Sequence, residues 1–582
     1  MFEISLSQWR EARKYIIKRL INTFIRENIS IFSKQVISIS DQGITYLMIK
    51  FPELNIKFVI TKSDFLQHYK SNTSYWTYGD SHKKFSNIIF LMRKLYSHYK
   101  MIEQNDLRSA IDEYKIAVIH HIDKGNINPI PRTRFFDSMS YYDYLASYAD
   151  HPLYPTARAK VGFGHKDLVK YAPEYANIFQ LHWIAVEKSS CQFIGIRPKI
   201  WPNATDLKFD PIIIKEFAFI PVHPFAKNHV INILLSQNIK HIVSDETYLD
   251  VLATLSVRTV SVVSDPSIHI KLPLNIRTLS TKNIRTIKSS TINDGSLIQG
   301  LLKKIVDADA KLKKQLTLSD ESCGGHVNHL REVAYIVRQY PGNLVQNKKI
   351  ILIPVAALSA RENSSTVINN LVKDYFDSDL YVFLSQYIDL MLSVHLKLIL
   401  HYGVALEANQ QNSLIVLNIQ TKELTLLLKD NDAPRINTSL LYRHFPSSQH
   451  ILKNLQDQRI IDNDEESLYK MFNTIIWQLN IACVLENLIS DGKVLRKKVY
   501  HLVAQRLEIC LKSLNLNESI NAKIINYLAN SHTLNIKYLY TAGTFLPKKY
   551  TSEGDINKFY GNNAPNFFKG YVDPSSKSQG FS

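Results

Sequence analysis

The stretch Gly403-Val404-Ala405-Leu406-Glu407-Ala408-Asn409-Gln410-Gln411-Asn412 lies where the pattern of the chain turns from helix to strand. Upstream, Asp377, Ser378 or Asp379 caps a long, mostly buried helix that is expected to run to about Tyr402. Gly403 suits the end of that helix, where a left-handed conformation is needed. Downstream, SLIVLNI (413–419) and LTLLLK (424–429) read as two strands joined at Gln420–Glu423. Folding that hairpin brings Asp430 back beside Asn412. Side chains alternate along a strand, so Glu407, Asn409 and Gln411 are expected on one face. Glu407, Asn409, Gln411, Asn412 and Asp430 then gather at one end of the hairpin. Their oxygens are the hard ligands that Mg²⁺ prefers, and Mg²⁺ commonly takes further oxygens from substrate phosphates. The alternative reading is a polar strand end facing water.

Working outward, Ser256-Val257-Arg258-Thr259 falls in a β-rich run and is read as strand, which puts Ser256 and Arg258 on one face. A hydroxyl beside a guanidinium can hold phosphate oxygens through charge-assisted bonds. His269 and Lys271 share a face of the next strand, and Arg277 and Arg285 follow. Cations so grouped stabilise charge developing at phosphorus, although such residues also occur on solvated strand faces. Two His-Pro segments stand out, His151-Pro152-Leu153-Tyr154-Pro155, leading into Arg158 and Lys160, and Val222-His223-Pro224. Proline after histidine holds the backbone extended and can fix the direction of the imidazole.

The whole chain has 582 residues, enough for roughly three or four domains. Its apolar share of 45% and charged share of 21% fit a globular protein with an ample core. The four cysteines form no CxxC pair, which argues against a zinc site or a disulfide framework and fits a reducing compartment. No signal peptide and no membrane span are expected, which points to the cytoplasm. The net charge of +18 is spread without dense basic runs, so anionic small substrates are favoured over nucleic acid. Residues 1–145 mix helices with strands, and ITYLMIKF and NIKFVI are expected to pair as a hairpin across Pro52-Glu53-Leu54. Residues 146–365 are β-rich, with turns marked by Asp265-Pro266 and Asp294-Gly295. Helices dominate residues 366–550, and 551–582 are expected to be loosely ordered.

These pieces stand in one order. HPLYPTARAKVGF (from His151), YAPEYA (from Tyr171), PVHPF (from Pro221) and SVRT (from Ser256) are followed by KLPLNIRT (from Lys271) and YIVRQYP (from Tyr335). GVALEANQQN (from Gly403) and LLKDNDAPRI (from Leu427) complete the series. In this the chain resembles the IucA/IucC family of NRPS-independent siderophore synthetases, from about Asp150 to Pro547. The resemblance implies an α+β fold of thumb, fingers and kinase-like palm, the last part of the palm being similar to a ferric-reductase-type sequence domain. It implies an ATP- and Mg²⁺-using carboxylate–amine ligase. Such an enzyme adenylates citrate or a citrate derivative, releases pyrophosphate, and passes the acyl group to an amine or hydroxyl.

By the same resemblance, Ser256, Arg258, Thr259, Lys271, Arg285 and Gln411 face ATP, with Arg258 and Lys271 stabilising the reacting phosphate. Glu407, Asn409 and Asp430 face the metal. Tyr154, Arg158, Lys160, Arg277 and Asn409 face the carboxylate substrate, and Arg277 and Arg285 compete for one role. His151 or His223 positions the carboxylate or takes a proton from the amine. Dimers are common among relatives. Several positions depart from the usual pattern. Tyr154 and Asn409 replace histidines, Arg158 and Lys160 are exchanged, Lys429 replaces an arginine, and Phe225-Ala226 replaces Trp-Gln. Altered carboxylate recognition is the expected consequence, and a catalytically weakened paralogue is the alternative. A kinase-like phosphotransferase is a rival, since a polar cluster, a hairpin and then Asp430 follow the kinase order. It lacks the glycine-rich loop and the HRD sequence.

Overall fold

The computed structural model describes residues 5–572, apart from 30–31, 33–35, 40–42, 80, 82, 99–100, 128–129, 136 and 551–558. Two sheets carry the functional segments. The larger has eight strands in the order Cys191–Ile194, Asp320–Val327, Ala334–Gln339, Ile268–Lys271, Thr259–Val262, His241–Ala253, Phe179–Glu187 and Phe217–Val222. All its pairings are antiparallel. The smaller has four strands in the order Leu316–Leu318, Leu424–Leu428, Ser413–Asn418 and Ile350–Pro354. Its Leu316–Leu318 edge is parallel to its neighbour. Two of its strands come from the β-rich middle region and two from the hairpin after Asn412, so the middle and C-terminal regions share one core.

That hairpin pairs Ser413 with Leu428 and Leu417 with Leu424, as its alternation implies. Lys429 N donates to Asn412 O at 3.1 Å, which returns Asp430 to the loop as expected. The preceding helix, Leu380–Leu400, is capped by Asp379, whose side chain accepts from Tyr381 N and Val382 N. Gly403 has φ +64°, and a Cβ there would sit 2.7 Å from Leu440 Cβ and 2.8 Å from Asn437 O. Both the left-handed backbone and the close approach call for glycine. Leu380–Leu400 and Glu465–Ser490 are long and apolar enough to cross a membrane, yet 72% and 83% of their apolar windows are buried inside the protein. They are core helices.

At the N-terminus, Leu6–Arg26 starts at a capping box of Ser5 and Gln8. It buries Ile16, Ile17, Leu20, Ile21 and Phe24 in a core shared with Gln104–Gly125. The expected hairpin forms, with Phe51 opposite Leu54. That core also takes Tyr540, Phe545 and Leu546 from near the other end of the chain.

Four local expectations change. Glu407 to Asn412 form a loop, and Thr254 to Arg258 form a tight turn between strands. Asp294-Gly295 lies inside the helix Ser289–Ala308, where the Asp294 carboxylate accepts from Gln456 N and Asp457 N. Residues 559–572 are not a loose tail. Tyr560–Pro565 pairs with Thr533–Lys537, and Phe567 and Phe568 enter the largest core. The remainder of 551–582 lies outside the described residues.

Candidate active site

The two sheets and the N-terminal region enclose a cleft of about 1060 Å³. Thirteen of the expected site residues line it. They are His151, Tyr154, Arg158, Lys160, Ser256, Arg258, Thr259, Lys271, Arg285, Glu407, Asn409, Gln411 and Asp430. His223 and Arg277 do not.

The larger sheet supplies the turn Thr254–Thr259. Thr254 N and Oγ1 both donate to Thr259 O, Ser256 Oγ accepts from Thr259 N, and Val257 sits at φ +67°. A β-branched residue rarely adopts that conformation. The turn rather than an alternating strand sets Ser256 beside Arg258. The Arg258 guanidinium is braced by Thr286 O at 2.7 Å, and Arg285 Nε donates to Thr278 Oγ1 at 2.5 Å. Withdrawal from water, then the like charge of Arg258, brings Arg285 down to about 9. A buried arginine held down by a neighbouring like charge favours an anion beside it.

The smaller sheet supplies Asp430, at φ +55° just past its strand. Lys271 Nζ lies 2.7 Å from Asp430 Oδ1, and Arg338 lies 2.6 Å from Oδ2, close but not aligned as a hydrogen bond. Glu321 Oε1 accepts from both Asp430 N at 2.7 Å and Arg338 Nε at 2.8 Å. Burial alone would raise the Asp430 pKa, but Arg338 and Lys271 outweigh it and hold the carboxyl well below the usual range. Asp432 is raised by burial, against Lys271 and with the help of Asp430.

The loop between helix and hairpin is anchored from below. Gln410 Nε2 donates to Leu479 O and Asn480 Nδ2 to Ala408 O, both on the π-helical stretch Asn473–Ala482. Asn409 Oδ1 accepts from Gln411 N at 3.0 Å and Asn412 N at 3.2 Å. Its oxygen therefore shapes the loop and is not free to ligate a metal. Glu407 stays partly exposed, 3.4 Å from the buried Lys537. Among the described residues, no three His, Cys, Asp or Glu side chains gather closely enough to cage a metal ion. Mg²⁺ usually binds one or two carboxylates together with substrate phosphates. Glu407, Asp430 and Asp432 line the same cleft and fit that mode once a nucleotide brings its oxygens.

The expected carboxylate-facing group divides. Arg158 pairs with Asp150 at 2.5 Å and Glu174 at 2.8 Å, and Lys160 pairs with Glu174. These cations are already neutralised. The Tyr154 hydroxyl is committed to Glu113 at 2.9 Å and Thr544 at 2.6 Å inside the N-terminal core. It is bound to protein where a substrate contact was expected. Arg277 points outward, and its backbone pairs with Val161. Of the two competing arginines, only Arg285 reaches the cleft. His223 is fully buried against Tyr171 and Phe179, and its Nδ1 accepts from Phe225 N. His151 Nδ1 accepts from Leu153 N and Tyr154 N, and burial, then nearby Arg19, pulls its pKa to about 3. The neutral ring therefore keeps its proton on Nε2, so it donates and does not accept. Arg338 and Lys537 escaped the residue-level reading. Arg338 sits in the quoted YIVRQYP, but nothing in its spacing marks it, and Lys537 follows no motif at all.

The assembly pairs phosphate-compatible cations with metal-compatible carboxylates. A family model described as the IucA / IucC family matches residues 143–360. One described as a ferric iron reductase FhuF-like transporter matches residues 382–540. Staphyloferrin B synthase of Staphylococcus aureus is 23% identical over 376 residues, 59% of this chain and 62% of that protein. D-ornithine–citrate ligase of the same organism is 23% identical over 423 residues, 66% of this chain and 63% of that protein. The chain thus matches less than two thirds of the length of these relatives. The petrobactin biosynthesis protein AsbB of Bacillus anthracis superposes with TM-score 0.79 at 17% identity, covering 97% of this chain and 96% of that one. ATP-bound IucA of Klebsiella pneumoniae superposes with TM-score 0.70 at 14% identity, covering 96% and 99%. The mixed α+β fold is theirs, and over residues 143–360 this chain is similar to the IucA / IucC family.

Proposed function

We propose that the cleft is the active site of an ATP-dependent synthetase of siderophore biosynthesis. It adenylates a carboxylate of citrate or a citrate derivative and condenses it with an amine or hydroxyl, releasing AMP and pyrophosphate. One observation carries the reading: Arg258, Lys271 and Arg285 line the same cleft as Glu407, Asp430 and Asp432. Its 1060 Å³ also lies at the upper end of small-molecule pockets, roughly 300–1,000 Å³, as a site for nucleotide, carboxylate and amine together requires. The D-ornithine–citrate ligase and staphyloferrin B synthase among its relatives support the substrate class.

In this reading Ser256, Thr259 and Gln411 orient the phosphates. Arg258, Arg285 and Lys271 hold the charge that develops as a carboxylate oxygen attacks the α-phosphorus and pyrophosphate leaves. Lys271 must then leave Asp430 for phosphate. Mg²⁺, when bound, neutralises phosphate charge beside Asp430 and Glu407. His151, donating from Nε2, holds the substrate carboxylate. Thumb, fingers and palm are assigned to residues 1–145, 146–365 and 366–550. The working assembly is a homodimer in the cytoplasm.

The test is incubation of the purified chain with ATP, Mg²⁺, citrate and a panel of amines, reading nucleotide and product mass. AMP with pyrophosphate and an amide product is the expected result. ADP would instead indicate a phosphotransferase, and no turnover with any amine would indicate a binding protein.

A further inference from the structure

The turn Thr254–Thr259 closes mostly on itself, through the bonds from Thr254 and Val257 and to Ser256. One of its amides reaches outside. Leu255 N donates to Asp143 Oδ2 at 3.0 Å, across 112 residues of sequence. Asp143 lies on the helix Ser138–Ala146, whose start is fixed by Asp137 accepting from Ser140 N. That helix is rooted in the other sheet. Ser138 Oγ accepts from Leu352 N at 2.9 Å, and Met139 packs with Leu352, Leu414, Val416 and Leu427. Leu427 belongs to the strand that delivers Asp430.

Asp143 is buried, and its other oxygen has no hydrogen-bond partner. It borders a small chamber of about 10 Å³ together with Ser140, Thr254, Ser261 and His269. Lys429, buried beside Asp430, finds in Asp143 the first charge that opposes its desolvation. A buried carboxylate with a single backbone bond is a costly way to hold a fold together. Its placement makes sense for a turn that must be held in one conformation. Val257 keeps a strained backbone there, and such strain persists only where the surroundings over-determine it.

We infer that Asp143 is a positioning residue for nucleotide phosphates. From a helix rooted in the four-stranded sheet it fixes the phosphate-facing turn of the eight-stranded sheet relative to Asp430. Loss of this bond lets the turn, with Ser256 and Arg258, shift against Lys271 and Asp430. The inference rests on the nucleotide reading of the cleft and adds a residue that touches no substrate.

Calorimetric titration of the full chain with Mg²⁺ and ATP, and separately with adenosine, tests it. Asp143→Ala, Asp143→Ser and Asp143→Asn are compared. Serine is one bond too short to reach Leu255 N, whereas asparagine keeps an acceptor at the right distance. Loss of one charge-assisted bond should weaken ATP binding about tenfold in the alanine and serine variants. Asparagine should stay within about twofold of wild type on the same reasoning, and adenosine binding should not change. In turnover assays the KM for ATP should rise while that for citrate stays within about twofold, because only the phosphate turn moves. If the alanine variant does not fold, the serine variant carries the same expectation. ATP binding at wild-type strength in the serine variant overturns the inference. So does a loss in which ATP, adenosine and citrate weaken together and asparagine does not rescue, since that is a scaffold defect. A wild-type chain that binds ATP but releases no pyrophosphate refutes the proposed reaction while leaving this comparison decisive. A wild-type chain that binds no ATP removes both.

Discussion

Lys271 on the eight-stranded sheet and Asp430 beyond the four-stranded sheet are joined by a 2.7 Å contact across 159 residues of sequence. Each sheet contributes one charge, so the pair exists only when the two are docked. Asp430→Ala is expected to abolish pyrophosphate release. Lys271→Ala should lower kcat/KM by about 10²–10³, the usual effect of removing one preorganised charge donor. Pyrophosphate release at the wild-type rate in Asp430→Ala would refute the metal assignment.

Arg338 holds both Asp430 and Glu321 in a buried setting. Replacing it with methionine leaves Glu321 without its cation and Asp430 with Lys271 alone. Breaking a buried pair in this way costs about 3–5 kcal/mol. Urea denaturation should show that loss, together with weak turnover.

His223 and Arg277 lie outside the cleft. His223→Phe keeps the aromatic contacts with Tyr171 and Phe179 but loses the bond from Phe225 N. It should lower stability by about 1 kcal/mol and leave every KM unchanged. Arg277→Ala should have little effect on turnover, whereas Arg285→Ala should raise the KM for ATP. Equal effects of the two arginine variants would contradict this division.

Glu113 is buried with Tyr154 and Thr544 as partners, and burial raises its pKa to about 7. A carboxyl raised in the fold is protonated there and ionised when unfolded. Its contribution to stability is complete below its ordinary value near 4.5 and is lost as pH rises through about 7. The shift corresponds to roughly 3 kcal/mol. Glu113→Gln should flatten the fall in Tm over that window and raise Tm at pH 8. An unchanged pH profile would refute the assignment.

Much of this could be read in the chain. Alternation gave the hairpin after Asn412, and chain reversal brought Asp430 back to it. The capping aspartate and Gly403 marked the long helix because caps and left-handed glycines are local requirements. The ordered motifs gave the family and the residues that meet in the cleft. These features depend on neighbours in sequence, or on residue types that the chemistry cannot replace.

Tertiary structure decided the rest. Glu407 to Asn412 are polar and look like an alternating strand, but bonds to Leu479 and from Asn480 pull them into a loop. Tyr154, Arg158 and Lys160 resemble substrate contacts in sequence. Burial beside Glu113, Asp150 and Glu174 commits them to the protein itself. Arg277 and Arg285 compete for one role in the sequence, and only the path of the chain after Lys271 separates them. The sequence by itself determined which chemical groups are available and which short segments present them. Which groups remain free for a ligand depends on the partners that folding brings against them, and burial makes an unpaired charge too unfavourable to leave without one.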